Sequence, residues 1–336
     1  MPSVNIVAEC PIERTPRVMQ LEGLFDVPIA EKSRMEWHVD FPLDEKPWNI
    51  GLIVGPSGSG KSTIARELFA NELIAGFPWP KAKSIVDAFP KAMGIKDITG
   101  LLSSVGFSSP PSWLRPFGKL SNGEQFRATI ARALAEFPAL AVIDEFTSVV
   151  DRTVAQVGSA AIAKAVRRRN QKFIAVTCHY DVLEWLQPDW VFDPSVGQFQ
   201  WRSLQRRPSI ELTVRRVHPA AWTLFSHHHY LSTSLSKSAR CFVGFIGDMP
   251  AVFTAVIHRM HPRVSSWYEH RTVCLPDFQG VGIGNAMSEL VAGIFYGLGK
   301  QYRSVTSSPS MIQHRNCSPR WRMTRAPSLG RRTYQK

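Results

Sequence analysis

The stretch Ile50-Gly51-Leu52-Ile53-Val54-Gly55-Pro56-Ser57-Gly58-Ser59-Gly60-Lys61-Ser62-Thr63 decides the fold of the first half of the chain. Ile50 to Val54 is a short apolar run suited to a buried strand, and it passes directly into a Gly-x-x-x-x-Gly-Lys-Ser pattern with helical periodicity following through Ala75. Glycines let the backbone curl so that successive N–H groups and a helix N-terminus face phosphate oxygens. Gly55, Ser57, Gly58, Ser59, Gly60, Lys61, Ser62 and Thr63 are therefore candidate nucleotide-binding residues. Lys61 would reach the β and γ phosphates, and the Ser62 hydroxyl is placed to ligate Mg²⁺.

Further along, Leu140-Ala141-Val142-Ile143 reads as a second buried strand ending in Asp144-Glu145. That places two carboxylates at the carboxyl edge of a sheet, where open α/β folds bind ligands. One carboxylate can support a metal and the other can handle water. A third strand, Phe173 to Thr177, ends at His179, so polar residues recur at this edge. Between these strands Leu120-Ser121-Asn122-Gly123-Glu124-Gln125 opens a helix through about Phe137, with Ser121 and Glu124 spaced as a capping box.

These elements, in this order, resemble an ATP-binding cassette (ABC) ATPase domain over roughly the first 200 residues. Gly55–Thr63 matches its Walker A loop, Leu120–Glu124 its signature, Leu140–Glu145 its Walker B strand and catalytic glutamate, Ser148–Asp151 its D-loop and His179 its switch histidine. The resemblance implies ATP and Mg²⁺ as ligands and a head-to-tail homodimer. In it, ATP is enclosed between one subunit's P-loop and Ser121, Gly123 and Asp151 of the other. Glu145 would activate water, His179 would contact the γ-phosphate, and Ser62 with Asp144 would support the metal.

Departures from the family pattern are informative. Its glutamine loop should follow a strand near Lys83 to Val86, where Asp87 stands in place of the glutamine as a third candidate metal residue. The helical subdomain from Asp87 to Lys119 is short and interrupted by Pro90, Pro110, Pro111 and Pro116, and the signature carries Asn122 and Glu124 in place of glycine and glutamine. These features favour a soluble member working on nucleic acid or another protein. For the aromatic that would stack on adenine, Phe25 is preferred over Trp37.

Composition sets the frame around these motifs. In 336 residues with 44% hydrophobic and 10% aromatic content there is apolar material for two cores. No run approaches the roughly 18–20 apolar residues of a membrane span, and the N-terminus lacks a signal-peptide pattern, which points to the cytoplasm. Five scattered cysteines without a C-x-x-C pair suggest neither a disulfide framework nor a zinc ribbon. Met1 to Trp190 carries 21 basic and 21 acidic residues, whereas Val191 to Lys336 carries 19 basic and 6 acidic, so the whole +13 excess lies in the second half. A polyanionic partner, nucleic acid first, follows for that half. Arg167-Arg168-Arg169 closes a helix beginning near Thr153, where cations complement the helix dipole.

Val191 to Trp201 reads as a closing hairpin and Ser203 to Pro208 as a linker, giving domains 1–204 and 205–322 and a basic tail 323–336. The second domain reads as a helix containing Ala221, Trp222 and Phe225, a hairpin of Arg240–Ile246 with Ala251–Arg259, and a strand Thr272–Leu275. Next come Gln279-Gly280-Val281-Gly282-Ile283-Gly284, a helix to Leu298 and a strand near Ser304–Ser307. This order resembles the GNAT N-acetyltransferase fold, whose Q/R-x-x-G-x-G/A loop binds the pyrophosphate of acetyl-CoA. Carried over by motif, Gln279, Gly280, Gly282 and Gly284 would hold that cofactor. Glu269, Tyr268, Tyr302 and His314 are acid or base candidates by residue type alone. His227-His228-His229 point about 100° apart if helical, which leaves room for at most two in one metal site. Arginines between Arg315 and Arg332, interleaved with Trp321, suit phosphate contact and base stacking.

The fold class is thus α/β: a P-loop ABC-type nucleotide-binding domain followed by an α/β GNAT-like domain. The combination looks like the ABC-type ATPases fused to a predicted acetyltransferase domain, and the basic part is similar in kind to Mom-type DNA-modifying enzymes of phages. The alternatives are the ATP-binding subunit of an ABC transporter, or an ATPase with a nonenzymatic nucleic-acid-binding module.

Overall fold

A computed structural model of the chain describes residues 3–25, 32–203, 209–229, 233–260, 265–306 and 308–325. Most of the linker (204–208) and of the basic tail (326–336) lie outside the described residues. Two compact units divide the chain: Met1–Val105 with Trp113–Pro208, and Gly106–Ser112 with Ser209–Lys336.

The first unit opens with β1 (Ser3–Pro11), α1 (Pro16–Phe25) and β2 (Lys32–Asp40), β1 and β2 forming an antiparallel pair. Then come β3 (Ile50–Val54), α2 (Lys61–Leu68), β4 (Leu73–Ile74) and α3 (Ile95–Ser104), with the short α4 (Pro110–Trp113) reaching back into this unit at its end. After α5 (Asn122–Glu136), β5 (Leu140–Ile143), α6 (Arg152–Arg169) and β6 (Lys172–Thr177), the unit ends with α7 (Val182–Leu186), β7 (Trp190–Asp193) and β8 (Gln198–Trp201). The strands form one sheet ordered β4-β5-β6-β3-β7-β8, parallel except at β7–β8. β3 is buried at every position, as its uninterrupted apolar run requires of a central strand.

Packing explains the glycine inside that strand. A Cβ at Gly51 would lie 2.0 Å from the Trp190 ring, which is fully buried among Phe41, Trp48 and Phe192. Gly51→Ala would drive a methyl into the indole, and overpacking of this kind costs about 1–3 kcal/mol. Chemical denaturation should show a lower midpoint with an unchanged slope.

The Asp189 carboxylate pins β3 from below. It accepts from the N–H groups of Asn49 and Ile50, both at 2.8 Å, and from Arg167 at 3.0 Å. Arg167 therefore does more than complement the helix dipole: it ties the end of α6 to the entry of β3.

Two expected elements differ here. The helix after the P-loop stops at Leu68 instead of Ala75, because Phe69 closes it with an N–H bond to the Ala65 carbonyl and Leu73–Ile74 pair with β5. Lys83–Val86 holds no strand. Ile85–Ala88 is a 3-10 turn, and the edge of the sheet is the two-residue β4.

The second unit contains β9 (Thr213–Val217), β10 (Arg240–Ile246), β11 (Met249–Arg259), β12 (Ser266–Cys274), α8 (Ile283–Gly297), β13 (Gln301–Arg303) and α9 (Pro309–Cys317). Its sheet runs β13-β12-β11-β10-β9, antiparallel except that β13 lies parallel to β12 over three pairs, Ser266–Gln301 to Tyr268–Arg303. The helix expected around Ala221 to Phe225 is instead a pair of 3-10 turns, Pro219–Leu224 and Ser226–His228. Trp222 and Phe225, three residues apart, both enter the core with Phe253, which suits three residues per turn. The strand expected at Thr272–Leu275 is the end of the longer β12. The one expected at Ser304–Ser307 is Gln301–Arg303, and Ser304 instead receives a hydrogen bond from Arg315. No helix among the described residues is long and apolar enough to cross a membrane.

Candidate nucleotide site

Strand β3 ends at Val54 and the loop that follows turns on two left-handed glycines, Gly58 (φ 82°) and Gly60 (φ 88°), before α2 starts at Lys61. The side chain of Lys61 is buried and its Nζ donates to the Pro56 carbonyl at 2.7 Å, folded back over the loop. The Ser62 hydroxyl donates to Asp144 Oδ1 at 3.1 Å. Thus two residues 82 positions apart, each assigned to metal support on sequence grounds, meet at the edge of the sheet. Ser59 Oγ is buried with no hydrogen-bond partner. A curled loop of N–H groups, an enclosed ammonium, an orphaned hydroxyl and a hydroxyl–carboxylate pair fit an anionic phosphate ligand and a divalent cation.

Asp144 also accepts from the Glu145 N–H at 2.9 Å. Glu145 is exposed, with left-handed backbone (φ 51°), as is the buried Thr147 (φ 67°). Two non-glycine residues in that region within three positions cost conformational energy of order 1–3 kcal/mol each. The turn is held by Phe146, fully buried, whose N–H bonds the Val176 carbonyl at 2.8 Å. His179 follows β6 and its N–H donates to Thr177 Oγ1 at 3.2 Å.

Ser121 caps α5 as its sequence spacing indicates. It accepts from the Glu124 N–H at 3.3 Å, and Glu124 Oε2 accepts from the Ser121 N–H at 3.0 Å. Gly123 is buried in the first turn, and Asp151 caps α6 through the Thr153 N–H at 2.8 Å. Among the described residues no hydrogen bond joins Ser121, Gly123 or Asp151 to the Gly55–Thr63 loop. Asp87 is exposed and accepts from the Ser84 hydroxyl at 2.6 Å, and no hydrogen bond joins it to Ser62 or Asp144.

Several features escape sequence reading. A Cβ at Gly60 would lie 2.1 Å from the Trp37 ring, so that indole rests directly on the P-loop, whereas Phe25 is 66% exposed on α1. Trp37 is thus the aromatic at the loop. Trp79 stacks on Phe117 with centroids 4.3 Å apart and planes within 5°, and Gln125 Nε2 donates to the Phe117 and Leu120 carbonyls, bracing the approach to Ser121. No local pattern announces either contact.

In the second unit the glycine turn also uses left-handed backbone, at Gly280 (φ 93°) and at Gly282 (φ 91°), the residue before α8. Gly284 has ordinary backbone and open space at its Cβ position. Gln279 Nε2 donates to the Cys274 carbonyl at 2.9 Å, and Gln279 Oε1 accepts from the Ser108 N–H at 2.6 Å.

The acid–base candidates differ in their surroundings. Glu269 is enclosed and pairs with Arg315 at 2.8 Å, with further hydrogen bonds from Thr272 and Ser288, so its carboxylate is committed. The Tyr302 hydroxyl is buried without a partner, and burial pushes its phenol well above the usual range. His314 pairs with Glu289 at 3.1 Å, and Tyr268 lies beneath the Arg259 guanidinium. His270 accepts from the Ser236 N–H at 3.3 Å, and burial, with the positive charges of Arg271 and Arg259, holds its imidazole below the usual range. Among the described residues no group of three or more His, Cys, Asp or Glu is arranged to hold a metal ion.

The loop, the helix start and the strand-end carboxylates together define a P-loop nucleotide-binding domain in the first unit. No protein-family model matches the chain. Among curated proteins it is 28% identical over 177 residues to an Fe(3+) ions import ATP-binding protein, FbpC, of Yersinia pestis, covering 40% of this chain and 49% of that one. It is 32% identical over 136 residues to the zinc import ATP-binding protein ZnuC of Paracoccus denitrificans, covering 34% of this chain and 52% of that one. The chain thus spans about half the length of these two relatives. A solved structure of the ATP-binding cassette MJ0796 bound to ADP and Pi matches 53% of this chain and 96% of its own, with 16% identity and a TM-score of 0.40. The curated relatives support an ABC-type ATPase domain in this protein.

Proposed function

We propose that the first unit binds MgATP and hydrolyses it as a head-to-tail homodimer in the cytoplasm. The observation that carries this reading is the Ser62–Asp144 hydrogen bond beside the buried Lys61, on a loop turned by Gly58 and Gly60. Mg²⁺, held through Ser62 and Asp144, would neutralise phosphate charge. Lys61 leaves the Pro56 carbonyl for the phosphates, and the Ser59 hydroxyl and loop N–H groups gain acceptors. Trp37 offers a ring for the adenine. Glu145 orients and deprotonates water, and His179 donates toward the γ-phosphate. Ser121, Gly123 and Asp151 would close the partner's site, each at the start of a helix where N–H groups face outward. Asp87 contributes to metal binding only through a rearrangement of the Ser84 contact. Titrating MgATP into the full chain tests the reading: saturable binding with phosphate release supports it, and neither one in a folded protein overturns it.

For the second unit we propose a GNAT-like acyltransferase domain acting on nucleic acid. The paired left-handed glycines Gly280 and Gly282 ahead of α8 favour it, because they free the helix N-terminus for a pyrophosphate, as in an acyl-CoA. The basic excess of this half supplies the electrostatics for a phosphate-backbone partner. Gly282→Val forces a β-branched residue into left-handed backbone at the cofactor loop. Calorimetric titration of acetyl-CoA should give saturable binding to the native chain and none to this variant. Absence of binding to the native chain would leave this unit a recognition module. The names of the curated relatives favour a second reading, an import ATP-binding subunit. Phosphate release by the isolated chain, without membrane partners, separates the two.

A further inference from the structure

The turn carrying His179 is held by side chains at two points: Asp181 accepts from the Arg152 guanidinium, and Tyr180 reaches the neighbouring strand. Tyr180, half exposed, donates its hydroxyl to Asp193 Oδ2 at 2.7 Å. Asp193 ends β7, and its other oxygen accepts from the Ser195 N–H at 2.9 Å and the Ser195 hydroxyl at 2.6 Å. Three donors therefore fix the carboxylate. Because Ile53 pairs with Phe192 in the sheet, Asp193 stands beside the point where β3 becomes the P-loop. A Cβ at Gly55 would come within 3.1 Å of Asp193 Oδ1 and 2.9 Å of Ser59 Oγ. Burial alone would raise the Asp193 carboxyl, but the Ser195 and Tyr180 hydrogen bonds and the nearby Lys61 charge hold it below the usual carboxylate range. The Tyr180 phenol is pushed up correspondingly, first by its bond to Asp193 and then by burial.

We propose that Tyr180 and Asp193 form a latch through which the phosphate loop positions His179. Neither residue is a catalytic residue here: both act through the histidine. A fixed carboxylate at the mouth of the loop, next to Gly55 and within the field of Lys61, grips the residue adjoining His179. The imidazole is thereby referred to the phosphate loop through the neighbouring strand. The proposal rests on the ATPase reading above.

Tyr180→Phe removes one hydroxyl and leaves the ring. Its expected effect is a fall in kcat for MgATP hydrolysis of about tenfold, the scale of one hydrogen bond to a charged group, with MgATP affinity unchanged. A merely structural hydrogen bond would move the melting temperature and leave kcat alone. The deciding measurement is a cycle with His179→Ala: once the imidazole is gone, Tyr180→Phe should cost nothing further. Unaltered kcat in Tyr180→Phe overturns the latch while leaving the ATPase reading in place, as does an equal fall on the His179→Ala background. A native chain that releases no phosphate overturns both.

Discussion

Glu145→Gln should abolish most ATP turnover while leaving nucleotide binding intact. Glutamine has the same shape and length, and the left-handed backbone at this position (φ 51°) is no harder for it than for glutamate. Its backbone N–H keeps the bond to Asp144 Oδ1, so the proposed metal-supporting side of the site is untouched. What is lost is the ability to accept a proton from water. A positioned general base contributes about 10²–10⁴-fold, and a fall of that size in kcat is the expectation. Removing a negative charge from beside the phosphates also favours the bound state. The variant should therefore accumulate as a nucleotide-bound dimer, visible by light scattering in MgATP. Turnover at the native rate would remove Glu145 from the role assigned to it.

Lys61→Ala should act one step earlier, on binding. The ammonium lies enclosed at the first residue of α2, with the Pro56 carbonyl as its partner at 2.7 Å, and has only to swing from that oxygen to a phosphate. A hydrogen bond to a charged group contributes about 1.5–3 kcal/mol, so MgATP affinity should weaken by about 10- to 150-fold. Calorimetry reads the affinity, and thermal melting without nucleotide checks that the fold survives. Retained affinity would mean that the lysine does not meet the phosphates.

The geometry of the candidate nucleotide site was legible because its parts are local. Gly58, Gly60 and Lys61 carry their conformation and charge within one turn, and Ser121 with Glu124 is a helix start that needs no knowledge of the rest of the chain. Even the position of Asp144 beside Ser62 could be anticipated, because a strand end dictates which edge of the sheet it occupies. What escaped depends on contacts between distant residues. Trp37 over Gly60 and Trp190 over Gly51 each require a glycine on one element and an indole on another. The preference for Phe25 had no such contact to draw on: spacing from the P-loop says nothing about which ring lies against it, and the ring at Gly60 is Trp37. Secondary structure slipped where short elements lean on tertiary partners. Leu73–Ile74 continued a helical pattern in the sequence, yet β5 recruits them as a strand. Trp222 and Phe225 had helical character that the core converts to 3-10 geometry.

Gly106–Ser112 belongs to the second unit, although the residues on either side of it belong to the first. Phe107 is fully buried there, Ser109 and Ser112 nearly so, and the Ser108 N–H meets Gln279. The polypeptide therefore passes between the units three times, and severing it at the linker breaks only one of the three crossings. A fragment begun at Ser209 would lack a piece of its own interior. The second unit is thus discontinuous in sequence, and evolution or an engineer can exchange it only together with a loop embedded in the sequence of the first.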